Sequence, residues 1–137
     1  MKYQTIYLEG IDKSGKDLIA KYVNKLSNYK YIVNSRGILS QIAYSILYNR
    51  GEQYDIEYEK NNLYVYLQVD KEDWEIRCKL SNEPEIDYKK NIESFDIAIN
   101  LTKDKLNILY YDTSLLTPYE IAKKIIYKIE QLNKETK

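Results

Sequence analysis

The sequence predicts an α/β domain in three layers, a parallel β-sheet with helices on both faces, reduced in size. Three observations predict it. Short β-prone runs alternate with segments whose apolar residues recur at helical spacing, the order produced when each strand is followed by a crossover helix. One of these runs, Leu63 to Val69, is the strongest strand in the chain. The 137 residues, 44% of them apolar, fit a single domain over 1–137 whose core needs no metal or disulfide staple.

Each element has a local reason. Tyr3 to Glu9 is short and apolar at Ile6 and Leu8, and it stops at Gly10, which predicts a first buried strand. A helix follows over Lys16 to Ser27, with Leu18, Ile19, Tyr22, Val23 and Leu26 at helical spacing and lysines and asparagines on the other face. Tyr29 to Asn34 is expected to form the second strand. Helical spacing returns at Ile38, Ile42, Ala43, Ile46 and Leu47 and is expected to end at Gly51 as a C-terminal cap. Glu52 to Asn62 is polar and shows no period. Asp70 is placed to cap a helix carrying Trp74, Ile76, Arg77 and Leu80, which Asn82 to Pro84 should break. Glu83 and Glu85 are read as part of a solvated lid with no chemistry of their own. A helix from Asp87 to about Leu101, a strand from Asn107 to Tyr111 and an amphipathic helix from Pro118 to Leu132 complete the order, with Pro118 in the first turn. In such a sheet, ligands sit at the carboxyl ends of the strands.

The composition narrows the chemistry. With 21 basic and 21 acidic residues the net charge is zero, so no global field draws the chain to nucleic acid or membranes, and neither is an expected partner. A single cysteine, Cys78, excludes an internal disulfide framework, and the absence of a signal-type start or a long apolar run leads us to expect a cytoplasmic protein. Histidine is absent, which excludes imidazole acid–base catalysis and His-ligated zinc. Carboxylates, lysine, arginine or a bound metal must carry any reaction. The 16 tyrosines and the many lysines, isoleucines and asparagines suit AT-rich codons, and most of the tyrosines are read as half-buried packing residues. Against that bias the three arginines, Arg36, Arg50 and Arg77, mark places where a bidentate fork is needed that lysine cannot supply.

The chemistry-bearing motif is Gly10-Ile11-Asp12-Lys13-Ser14-Gly15-Lys16-Asp17, which matches the phosphate-binding pattern G-x-x-x-x-G-K-[ST] except at its last position. It lies between a predicted strand and a predicted helix. That placement aims backbone N–H groups and the positive end of the helix dipole at an anion, and Lys16 would reach the β- and γ-phosphates of a nucleoside triphosphate. At Asp17 a carboxylate replaces the usual Mg²⁺-binding hydroxyl. Two readings stay open: Asp17 binds Mg²⁺ directly or through water, or it weakens nucleotide binding by repulsion. Some phage-type deoxynucleoside monophosphate kinases resemble this loop in carrying Ser-Gly-Lys-Asp.

Four segments, in order, resemble the thymidylate kinases, particularly the viral and eukaryotic kind. Leu8-Glu9-Gly10-Ile11-Asp12-Lys13-Ser14-Gly15-Lys16 is similar to that family's E-G-x-D-[KR]-[SA]-G-K loop. The segment from Ser35 to Tyr44 resembles D-R-Y-x-x-S-x-x-A-[YF], with Arg36, Ser40, Ala43 and Tyr44 in place and Ser35 and Gly37 where the family has Asp and Tyr. Leu63 to Arg77 and Asp112-Thr113-Ser114 with Pro118, Glu120 and Ile121 are similar to two later passages. Between the first helix and Arg36, relatives carry an extra strand and helix that hold acceptor-binding residues; this chain lacks them.

The resemblance implies an ATP- and Mg²⁺-dependent (deoxy)nucleoside monophosphate kinase of the P-loop type. Its implied partners are a nucleoside triphosphate and a nucleoside monophosphate. Lys13 would neutralise charge on the transferred group, Lys16 and the loop amides would hold the donor, and Arg36 would clamp the acceptor phosphate. Arg77 would reach the donor phosphates or stack on its base, or else pair with Asp73 on the helix surface. Glu9 would position Mg²⁺ or the acceptor, or else accept loop N–H bonds. Tyr44 would close over the acceptor sugar or belong to the core. The alternative is an impaired relative that keeps the fold and acts by binding a protein partner. A homodimer is compatible with everything in the sequence.

Overall fold

Four of the apolar runs are strands in the computed structural model, which describes residues 2–51, 53–56, 61–82 and 87–135: β1 (Thr5–Glu9), β2 (Ile32–Ser35), β3 (Asn62–Gln68) and β4 (Asn107–Asp112). All pair in parallel, in the order β2-β1-β3-β4. Among the described residues five α-helices accompany them: α1 (Lys16–Leu26), α2 (Ile38–Leu47), α3 (Lys71–Leu80), α4 (Tyr88–Thr102) and α5 (Pro118–Glu135). None of the described helices is long and apolar enough to cross a membrane.

The pleat of β3 divides the core. Leu63, Val65 and Leu67 join Ile19 and Val23 of α1 and Ile121, Ile125 and Ile129 of α5 in one cluster, while Tyr64 and Tyr66 join Leu39, Ile42, Trp74, Phe95 and Ala98 of α2, α3 and α4 in another. The expected three layers are therefore present, with β1 and β3 in the middle of the sheet. Burying an aliphatic or aromatic side chain contributes roughly 1.5–3 kcal/mol, so this double-sided core supplies the main stabilisation.

Several boundaries differ from expectation for a common reason. The second strand begins at Ile32, not at Tyr29, because Asn28 (φ 55°) and Tyr29 (φ 59°) are left-handed and close α1. The N–H of Tyr29 donates to the carbonyl of Asn24 at 2.8 Å and that of Asn28 to Lys25 at 3.2 Å, the two bonds of a Schellman cap. The cap of α2 is likewise Asn49 (φ 52°) and not Gly51, with Arg50 N–H bonded to Ser45 at 2.8 Å. In α3 the inward residues are Trp74 and Cys78, whereas Ile76 and Leu80 face solvent. Asp70 caps α3 by accepting from the N–H of Asp73 at 2.9 Å, as expected. Asn82 (φ 54°) follows the end of α3, and the rest of the expected break, together with Glu83 and Glu85, lies outside the described residues. α5 opens at Pro118 with a reciprocal capping box between Thr117 and Glu120.

Candidate functional site

β1 ends beside β3, and the chain turns through residues 10–15 into α1. The turn is shaped by its backbone. Gly10 (φ 141°) passes so close to β3 that a Cβ there would lie 2.7 Å from the carbonyl oxygen of Leu67, so only glycine fits. Lys13 (φ 67°) and Gly15 (φ 100°) are left-handed, and Ser14 N–H closes a turn onto the carbonyl of Ile11 at 3.2 Å. Turns of this kind make a concavity of backbone N–H groups, to which α1 adds the positive end of its dipole.

Lys16 sits beneath this concavity, 8% exposed. Its ammonium donates to the carbonyls of Gly10 and Ile11, both at 2.8 Å, and to Ser14 Oγ at 3.1 Å. Burial, and then the nearby Arg36 charge, lower its pKa to about 8 against the opposing pull of Asp12, Glu9 and Asp17.

Above the loop is a cleft of about 660 Å³ whose lining includes Lys13, Lys16, Asp17, Arg36 and Arg77. Topology thus brings five of the candidates to the carboxyl end of the sheet. Gly15 and Asp12 also line the cleft, while Ile11 and Ser14 are buried behind it. Asp17 is exposed in the first turn of α1, and Ser35 Oγ donates to its carboxylate at 3.5 Å. These hard oxygen donors suit Mg²⁺, which binds one or two carboxylates and completes its shell with phosphate and water. Among the described residues no group of three or more His, Cys, Asp or Glu forms a cage, so such an ion would depend on the nucleotide.

Arg36 closes one side of the cleft. It is left-handed at φ 71°, an uncommon conformation for a long side chain, and its guanidinium donates to Asp12 Oδ1 and to the Tyr44 hydroxyl while lying 5.3 Å from the Tyr44 ring centre. Asp12 and Arg36 also line a second cleft of about 280 Å³, with Tyr44, Tyr48, Arg50 and Asn91. Tyr44 is therefore both core and site: its ring meets Phe95 edge to face at 5.9 Å, and burial raises the pKa of its hydroxyl, keeping it a neutral partner for Arg36.

The fold has counterparts among solved structures. No family model matches the chain's sequence, and no curated protein sequence matches it. The YorR protein of Bacillus subtilis, solved in complex with phosphorylated GDP, shares 18% identity at a TM-score of 0.72, covering 93% of this chain and 96% of that one. Thymidylate kinase from Candida albicans shares 16% identity at a TM-score of 0.59, covering 95% and 92%. The fold is P-loop kinase-like.

Within the P-loop kinase-like fold, Glu9 stands apart from both clefts. Fully buried, its carboxylate accepts from the N–H groups of Gly37, Leu39 and Ser40 at 2.8, 2.9 and 3.2 Å and from Ser40 Oγ. It holds the start of α2, and with it the position of Arg36, and burial raises its pKa despite these bonds. Gly37, where the resembling motif has tyrosine, leaves room for Tyr7: a Cβ at 37 would lie 2.6 Å from that ring. Arg77 does not turn to Asp73. Its Nη1 donates to the Lys13 carbonyl at 2.8 Å and to Thr113 Oγ1 at 3.1 Å, and its Nη2 donates to the Thr113 carbonyl at 3.2 Å. It ties α3 to the P-loop and to the β4–α5 turn while still lining the cleft.

Sequence reasoning did not assign Tyr48, Asn91 or Trp74 to the site. Trp74 Nε1 supports the loop from α3, and Asn91 reaches the second cleft from a helix 55 residues beyond Arg36 in sequence. No local pattern connects residues so far apart. Arg50 was visible as a rare arginine, without its location.

Proposed function

We propose that the chain is an ATP-dependent nucleoside monophosphate kinase that moves the γ-phosphate of Mg·ATP to a (deoxy)nucleoside monophosphate. The observation that carries this reading is the pair of clefts joined at Asp12 and Arg36, one over the P-loop and one beside it. A donor in the first and an acceptor in the second would bring their phosphates together at Arg36. The fold shared with thymidylate kinase, and the phosphorylated GDP bound to YorR, support a nucleotide ligand.

The chemistry suits a chain without histidine. An oxygen of the acceptor phosphate forms a bond to the γ-phosphorus, the bond to the β–γ bridging oxygen breaks, and its electron pair leaves with ADP. An acceptor dianion has no proton to surrender, so no general base is required, and positioning with charge neutralisation carries the catalysis. Lys16 and the loop amides would hold the donor. Lys13 would face the transferred group, and Arg36 would exchange Asp12 for the acceptor phosphate. Mg²⁺, held by Asp17 and the phosphates, would supply further charge neutralisation.

A second reading has its own observation. Arg36 is engaged by Asp12 and Tyr44, and Ser35 stands where the resembling motif has an aspartate. A chain with those features could retain the nucleotide and act through a protein partner. Coupled-enzyme assays against a panel of monophosphates separate the two. Transfer to at least one supports the kinase, with Arg36→Ala expected to reduce turnover at least about tenfold at saturating ATP and Arg36→Lys to restore little. No transfer to any of them defeats the kinase reading.

A further inference from the structure

The two edges of the sheet differ. β2 is four residues long, whereas β4 runs for six, pairs with β3 from Asn107 to Asp112 without a bulge, and contains no lysine or proline. Short length, bulges, lysine and proline are the devices that blunt an exposed edge. The N–H of Thr113 donates to the Gln68 carbonyl at 2.8 Å, which sets the parity of the strand. Main-chain groups of Leu109 and Tyr111 therefore turn to β3, while those of Ile108 and Tyr110 turn outward together with the N–H of Asp112. No described residue bonds to these outward groups. Beside this edge, on the α5 side, lies a cleft of about 440 Å³ lined by Tyr111 of β4 and by Lys123, Lys124, Tyr127, Lys128 and Gln131. Among the described residues none of the three lysines forms an ion pair, and no acid lines the cleft. Glu120, one turn before Lys124, is turned into the capping box with Thr117.

We propose that β4 is a docking edge for an extended acidic segment of a protein partner, which adds to the sheet as a further strand and lays alternate carboxylates over the α5 lysines. The two spacings agree. Lys124 and Lys128 stand about 6 Å apart along the helix axis, and side chains two residues apart on a strand stand about 6.6 Å apart. Open main-chain donors and acceptors call for a peptide and not a nucleic acid, and the lysines call for an acidic one. The same charge opposes a second copy of this chain. Antiparallel pairing of β4 with its two-fold mate would bring both sets of lysines to the same face of the seam. The groove shares no residue with the cleft over the P-loop, so docking here holds whether or not the chain transfers phosphate.

The probe is the peptide acetyl-TEVEVET-amide, titrated into the isotope-labelled chain and followed by amide resonances and hydrogen exchange. It should shift and protect the amides of Ile108, Tyr110 and Asp112 in a saturable way. Two analogues, N-methylated on the glutamates or on the valines, supply the directional control. Alternate amides of a strand face opposite edges, so one analogue should bind at least about tenfold more weakly and the other like the parent. Lys124→Glu combined with Lys128→Glu should abolish binding of the acidic peptide and admit acetyl-TKVKVKT-amide in its place, a reversal that a merely damaged fold would not give. No binding of the acidic peptide, shifts that avoid β4, or equal binding of both methylated analogues overturns the proposal. So does displacement of the peptide by oligothymidylate, which would give the groove to nucleic acid, or a concentration-dependent dimer in sedimentation that protects the same amides, which would give the edge to a second copy.

Discussion

The indole Nε1 of Trp74 donates to the main-chain carbonyl of Asp12 at 3.1 Å, and Arg77, three residues further along α3, donates to the carbonyl of Lys13 at 2.8 Å. Two consecutive loop carbonyls are thereby held from one helix, which keeps the left-handed Lys13 in place. Trp74 is the sole tryptophan in the chain, so its emission reports on the loop without labelling. Saturation with Mg·ATP, followed in parallel by calorimetry, should change that emission with the same midpoint. Constant emission at full occupancy would mean that α3 does not sense the loop. Trp74→Phe leaves the Asp12 carbonyl unpaired, and roughly 1–3 kcal/mol of stability should be lost in denaturant titrations.

Lys16 gives a pH dependence of known sign. Its native pKa of about 8 lies below the ordinary 10.5, so between those values the unfolded chain binds more protons. The stability of the free protein from this group therefore rises with pH across that window, and the cost of burying the charge is fully present below about 8. Phosphate reverses the balance by favouring the ammonium. Nucleotide binding at pH 9 should take up as much as about one proton, and binding at pH 7 close to none, as read by calorimetry in buffers of different ionisation enthalpy. Zero uptake at pH 9 would separate Lys16 from the phosphates.

Asp17→Thr distinguishes a metal ligand from an electrostatic penalty. If the carboxylate only repels the phosphates, the hydroxyl should tighten Mg·ATP; a tenfold gain corresponds to ~1.4 kcal/mol. We expect the opposite. The carboxylate is exposed in the cleft with Ser35 beside it, an arrangement that suits Mg²⁺, so Asp17→Thr should weaken Mg·ATP while changing Mg²⁺-free ATP binding little or favourably. Titrations with and without Mg²⁺ decide the matter.

Glu9→Gln tests a scaffold role against a chemical one. Glutamine keeps one acceptor oxygen and turns an amino group toward the N–H donors at the start of α2, leaving at least one of them unpaired. The expected cost is roughly 1–3 kcal/mol of stability, measured by urea unfolding. Loss of turnover with stability intact would move Glu9 from the scaffold into the reaction.

The fold was legible because its strands and helices are periodic over whole turns, and because the phosphate loop is local: eight consecutive residues bend a strand into a helix. Helix ends were less legible. Asn28 and Asn49 take the left-handed position that a search for glycine misses, which displaced both the start of β2 and the cap of α2. Arg77 shows a different limit. Its spacing from Asp73 allows an ion pair, but its preference for Lys13 and Thr113 depends on β4 arriving next to the loop, 36 residues later. The second cleft was invisible for the same reason, since α2 and α4 meet there only after the sheet has formed.

The Asn caps set out which codons this chain can surrender. A genome drifting toward adenine and thymine can exchange glycine for asparagine wherever a backbone merely needs a left-handed turn in open space, as at Asn28, Asn49 and Asn82. It cannot do so at Gly10 or Gly37, where the carbonyl of Leu67 and the ring of Tyr7 already fill the space a side chain needs. Gly51, left-handed with no described atom within 4 Å of where a Cβ would stand, is the glycine that mutation can still remove. Drift in base composition would then stop at the phosphate loop and at the residue after Arg36, and the guanine-rich codons that persist there would mark the site in the gene itself.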